Sequence, residues 1–198
     1  MERTAVDFGP RTAAARLVVL PGLGGSGETH WQTLWEHVHP DAARFEPSSV
    51  DAPDLEYWIA AVDRAVERGS DRPILVAHSL GTIAAAAWMA TRPMRARAAL
   101  LVAPPDAGRP GAPPAITGFA RAQRVRARIP VTVVASEDDP YGSLGHAADV
   151  ADGLGAPLVV AGACGHLNAD SGLGTWREGL EALEGLARAS AHGGPAAG

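Results

Sequence analysis

Short, mostly apolar runs alternate with apolar stripes at helical spacing along most of this chain. The runs are Arg16–Leu20, Ile74–Ala77, Ala98–Ala103, Val131–Ala135 and Pro157–Ala161, and their continuity predicts strands buried on both faces. Ala42–Glu46 predicts a weaker strand after the first. Between the runs, Trp31, Leu34, Trp35 and Val38 fall on one helical face, as do Leu55, Ile59, Val62 and Val66. Pro53 is placed in the first turn of that second helix, and Gly69 follows its end. An alanine-rich helix is predicted after Ser79, another over 146–154, and a last one from Trp176 to about Arg188, with Trp176, Leu180, Leu183 and Ala187 as its stripe.

Strands alternating with amphipathic helices define a doubly wound α/β domain, a parallel sheet covered on both faces. Its functional site is expected at the carboxyl ends of the strands. The expected organisation is a flexible arm over 1–14, one domain over 15–189 and a disordered tail over 190–198. The irregular Pro- and Gly-rich segment from Pro104 to Ile116 is too short for a cap domain, so an open or lightly covered site is expected.

Composition narrows the chemistry. With 198 residues, 46% of them hydrophobic, the chain can bury one sizeable core. A net charge of −5 gives no general attraction to nucleic acid or anionic membrane. All 17 basic residues are arginine, which removes lysine Schiff bases, Ser-Lys dyads and Walker-type phosphate loops. The single cysteine, Cys164, excludes an internal disulfide. Ala13–Leu20 is too short and too interrupted for a membrane span or signal peptide, so a cytoplasmic location is expected.

The candidate chemistry starts at Ala77-His78-Ser79-Leu80-Gly81, between a buried strand and the alanine-rich helix. Small residues two before and two after a serine permit the sharp turn of a nucleophile elbow, although alanine replaces one of its two usual glycines here. A serine that only caps the helix is the plainer reading. Two later loops favour the elbow: an acidic turn, Glu137-Asp138-Asp139-Pro140, after the fifth strand, and a glycine-flanked loop carrying His166 after the sixth. That is the chain order nucleophile, acid, base expected on such a sheet. Pro140 holds the residue before it extended, which favours Asp139 over Asp138 as the acid. Oxyanion-hole donors are expected from the backbone N–H of Leu80 and from the loop after the first strand, at Leu23. Gly22, Gly24, His30 and Trp31, in and just after that loop, are the candidate substrate contacts.

The same loop, Gly22-Leu23-Gly24-Gly25-Ser26-Gly27, also matches GxGxxG, with Glu46 near the end of the next strand, so a nucleotide-dependent oxidoreductase is a competing reading. Pro21 before the motif and the bulky Glu28 to Trp31 after it argue against one. His37 and His39 lack a third ligand and read as solvated helix-end residues. Cys164 reads as packing, and His78 as a packed histidine or second proton carrier. Arg121, Arg124, Arg126 and Arg128 read as a solvated basic face, with a taste for anionic substrates as the functional alternative.

Taken together, PGLGGSGETHWQTLWE, AHSLGTIAAAAW, SEDDPYGS and GHLNADSGLGTW resemble the small YdeN-like serine hydrolases of the alpha/beta hydrolase superfamily, relatives of retinoblastoma-binding-protein-type hydrolases. The resemblance implies a compact, six-stranded, mostly parallel sheet without a large cap and a triad falling on Ser79, Asp139 and His166. The expected activity is hydrolysis of a small ester, thioester or amide with no cofactor, and with neither nucleic acid nor membrane as partner. A catalytically weak binding protein of the same fold is the alternative from another class.

Overall fold

The structure, a computed structural model, describes residues 6–122 and 125–192. Six strands form one sheet: β1 (Leu17–Leu20), β2 (Ala42–Arg44), β3 (Ile74–His78), β4 (Ala98–Val102), β5 (Val131–Ala135) and β6 (Leu158–Val160). Their order is β2-β1-β3-β4-β5-β6 and every pairing is parallel. The helices are α1 (Pro10–Ala13), α2 (Trp31–Val38), α3 (Leu55–Glu67), α4 (Leu80–Thr91), α5 (Leu144–Leu154) and α6 (Arg177–His192). With the chain winding outwards in both directions from β1 and β3, the switch point lies between those strands, and the loop after β1 meets the loop after β3 there.

Alternation along each central strand divides the core into two layers. Val18, Leu20, Leu75, Ala77, Ala99 and Leu101 pack with the apolar faces of α3, α4 and α5. Leu17, Val19, Ile74, Val76, Leu100 and Val102 face the other way, against Trp31 and Trp35 of α2 and the stripe of α6. Caps fix where the helices begin. Asp54 accepts from the Glu56 and Tyr57 N–H groups at 3.0 and 3.1 Å, which starts α3 one residue after Asp54 and leaves Pro53 outside it. Gly155, left-handed, ends α5.

The expected arm is a packed element over the residues described. Phe8 lies edge-on to Trp35 and His39, and Glu184 of α6 accepts from the Thr12 N–H and hydroxyl, both at 2.9 Å. His39 is accordingly buried, its Nε2 3.0 Å from the Thr12 carbonyl, and is not the solvated residue expected. Residues 190–192 of the expected tail belong to α6; 1–5, 193–198 and Arg124 lie outside the described residues. The segment after β4 ends in a 3-10 helix, Pro114–Arg121, and no cap domain stands over the sheet among the described residues.

Candidate active site

Ser79 sits at the carboxyl end of β3 with φ 53° and ψ −126°, a conformation that costs a non-glycine residue roughly 1–3 kcal/mol. The fold holds it there. The Ser79 N–H donates to the Val102 carbonyl at 2.9 Å, anchoring the turn to β4. A Cβ on Gly81 would strike the Leu20 carbonyl oxygen and lie 2.6 Å from that of Pro21, so only glycine lets α4 start this close to the end of β1. Ala77 remains in regular strand register with Leu20 and Leu101, and the strain of the turn falls on the serine. A glycine two before the serine is therefore unnecessary.

The loops after β5 and β6 bring the acidic turn to the histidine. His166 Nδ1 lies 2.9 Å from both carboxylate oxygens of Asp139, and its Nε2 lies 2.8 Å from Ser79 Oγ. A carboxylate only accepts, so Nδ1 carries the proton and Nε2 presents its lone pair to the serine hydroxyl. The Asp139 side chain is 2% exposed, and its Oδ1 also accepts from the Tyr141 N–H at 2.8 Å. Asp138 is no free surface residue either. Its Oδ1 accepts from the Gly165 N–H at 2.7 Å and from the Ser136 hydroxyl at 2.8 Å, which together hold the carboxyl below its ordinary range, the hydroxyl contributing most. Ser136 Oγ in turn accepts from the Cys164 N–H at 2.8 Å, so the acid and histidine loops are stitched together directly behind the imidazole.

Two more histidines flank the site. His78, fully enclosed, has Nε2 2.9 Å from the His166 carbonyl, which fixes its proton on that nitrogen. Burial foremost, then the neighbouring His166 and His30, push it well below the usual histidine range, so it is neutral and anchors the histidine loop. His30 caps α2: its Nδ1 accepts from the Gln32 N–H at 3.1 Å, leaving the ring proton on Nε2. Burial, Arg44 and His166 lower it to about 4.

A cavity of about 230 Å³ opens beside Ser79 and His166. Of the residues expected at the site, Gly22, Leu23, His30, Ser79, Leu80 and His166 line it, with Asp139 behind the imidazole. Gly22 lacks a side chain for a local reason, since a Cβ there would lie 2.7 Å from the Ser79 Cβ. The backbone N–H groups of Leu23 and Leu80 face no acceptor among the described residues. Gly24 and Trp31 are not part of the wall. Gly24 donates to the Val50 carbonyl at 2.9 Å, and Trp31 is a buried core residue whose Nε1 donates to the Leu167 carbonyl at 2.8 Å, supporting the histidine loop from below. Tyr141, Asp106, Arg109 and Asn168 line the cavity without having been read from the sequence. Tyr141 carried the one usable signal, its position directly after the acid and Pro140.

The glycine loop does not have the dinucleotide arrangement. Its following helix starts only at Trp31, so no helix N-terminus adjoins the glycines, and Glu46 is an exposed ion-pair partner of Arg68 at 2.7 Å.

An all-parallel doubly wound sheet with a serine elbow, an acid loop and a histidine loop on successive strand ends is an alpha/beta hydrolase fold. A serine hydrolase family model matches residues 17–185, and the chain belongs to that family. It is similar to a YdeN-like hydrolase of Pectobacterium atrosepticum, with 30% identity, a TM-score of 0.79, and 88% of this chain and 91% of that one covered. The ydeN product of B. subtilis aligns at 20% identity and TM-score 0.75, covering 87% of this chain and 98% of that one. A monoacylglycerol lipase of Paleococcus ferrophilus shares the fold at 14% identity and TM-score 0.63, covering 88% and 93%. No match was found among curated protein sequences. No described helix is long and apolar enough to cross a membrane.

Proposed function

We propose that the protein hydrolyses small esters, thioesters or amides through an acyl-enzyme on Ser79. The observation carrying this is the unbroken relay from Asp139 through His166 to Ser79, at 2.9 and 2.8 Å. As Ser79 Oγ attacks the carbonyl carbon, its proton passes to His166 Nε2, and the imidazolium is stabilised by Asp139. The carbonyl oxygen becomes an oxyanion received by the N–H groups of Leu80 and Leu23. Collapse breaks the bond to the leaving group, which takes the proton from Nε2. Water then repeats the sequence on the acyl-enzyme, giving the acid and free Ser79. A cavity of about 230 Å³ favours a short acyl group. The relay also weighs against a scaffold without turnover, whose histidine would need neither orientation nor access to the serine.

The test is a fluorophosphonate probe followed by peptide mapping. Rapid modification of Ser79 in folded protein, abolished in Ser79→Ala, is the expected outcome. Absence of labelling, or labelling that survives the substitution, overturns the proposal.

A further inference from the structure

An arginine side chain stands on the cavity wall. Arg109 lines the same cavity from the segment after β4, its guanidinium carbon 5.9 Å from the centre of the Tyr141 ring. The Tyr141 ring lies edge-on to His166, centroids 4.6 Å apart, so one aromatic ring separates the guanidinium from the imidazole.

Arg109 is held by its surroundings. The Arg109 N–H donates to the Asp106 carbonyl at 3.3 Å, and the Asp106 N–H to the Tyr141 carbonyl at 2.9 Å, tying this segment to the loop that carries Asp139. Asp106 is the carboxylate on the cavity wall, but it does not pair with Arg109: its Oδ1 accepts from the Gly108 N–H at 3.0 Å and its Oδ2 faces His146 Nδ1 at 3.9 Å. Leu23, Pro105, Pro113 and Ile116 give the same wall an apolar stretch. A short alkyl chain fits that stretch, and an anionic oxygen pair beyond it meets a planar fork of donors made for a carboxylate.

We infer that the substrates are carboxylate-bearing acyl compounds, half-esters, half-thioesters or half-amides of short dicarboxylic acids, with Arg109 binding the free carboxylate while Ser79 attacks the other carbonyl. This rests on the serine hydrolase proposal and narrows its substrate class.

The test compares kcat/KM for monomethyl succinate with methyl butyrate, and for monomethyl glutarate with methyl pentanoate, by pH-stat at low ionic strength. Each pair matches in carbon count and differs in the terminal carboxylate. The unsubstituted protein should favour each half-ester by about tenfold or more, a ratio that shrinks with added salt. Arg109→Gln should bring it to one or below, whereas Arg109→Lys, which keeps the charge, should retain part of it. A second measurement needs no turnover: glutarate should slow fluorophosphonate labelling of Ser79 more than pentanoate does at equal concentration, and Arg109→Gln should abolish the difference. Labelling of Ser79 with equal effects of glutarate and pentanoate, or half-ester ratios that Arg109→Gln leaves unchanged, overturns the carboxylate assignment and leaves the hydrolase proposal standing. Failure of Ser79 to label at all overturns both.

Discussion

Two adjacent aspartates with different partners show how finely the acid turn is divided. Asp139 orients the imidazole; Asp138 holds the backbone of the loop that carries it, through the Gly165 N–H. Asp139→Asn removes the charge and permits the amide to donate to Nδ1, which puts the imidazole in the wrong tautomer, so kcat should fall on the order of 10⁴-fold. Asp138→Asn keeps an oxygen for Gly165 and Ser136 and should lose less than about tenfold. Steady-state rates of the two variants, each confirmed to melt cooperatively, decide the assignment, and a crippled Asp138→Asn would move the triad acid by one residue. The choice of Asp139 was legible because Pro140 restricts the residue before it. The bonds of Asp138 were not, because their partners, Ser136 excepted, lie on a loop 27 residues later and depend on how β5 and β6 align. Trp31 illustrates the opposite error: its nearness in sequence to the glycine loop suggested substrate contact, but as the first residue of α2 it packs its ring into the core beside Trp35 and Trp176.

Buried runs such as Leu75 to Ala77 and Ala98 to Val102 announced themselves because strands covered on both faces leave no polar position to blur the pattern. Short elements were silent. Four-residue α1 has no room for a stripe, and what orders it is Glu184, 172 residues away in sequence. The 3-10 helix over Pro114–Arg121 hid in a stretch whose prolines and glycine read as loop. The elbow itself tests which small residue the turn requires. Gly81→Ala should destabilise by about 1–3 kcal/mol or displace α4, because the methyl meets backbone carbonyls that cannot turn aside. Ala77→Gly, the exchange that would restore the commoner motif, should instead lose roughly 0.5–1 kcal/mol through strand entropy, with no gain in labelling rate at Ser79. Urea melts with parallel fluorophosphonate kinetics measure both; an Ala77→Gly protein that labels much faster would show that alanine does restrain the turn.

The molecule places its strand ends, its glycine loop and neutral histidines around one cavity, and this arrangement makes stability depend on pH in a specific window. His30 titrates near 4 in the folded state against an ordinary 6.5, and His78 is pushed in the same direction by its burial. Between those values the unfolded chain binds protons that the native state refuses, so stability rises with pH there. The contribution is fully present above about pH 6.5 and is lost as pH falls towards 4. His30 alone accounts for on the order of 3 kcal/mol at about 1.36 kcal/mol per pH unit. The lowered carboxyls of Asp138 and Glu184 act in the same direction, but lower, because their benefit disappears only as acid protonates them. Urea unfolding free energies measured from pH 7.5 down to 4.5 should therefore be level at first and then decline by about 1 kcal/mol or more per pH unit below 6, before the carboxylate range is reached. The near-UV circular dichroism of the native protein, dominated by the buried tryptophans, should hold steady until that decline approaches unfolding, since His30 and His78 remain neutral as long as the fold keeps them enclosed. A free energy that stays flat from pH 7 to 5 would mean that both rings can take up a proton in place, and the packed, neutral wall assigned here to His78 and His30 would be wrong.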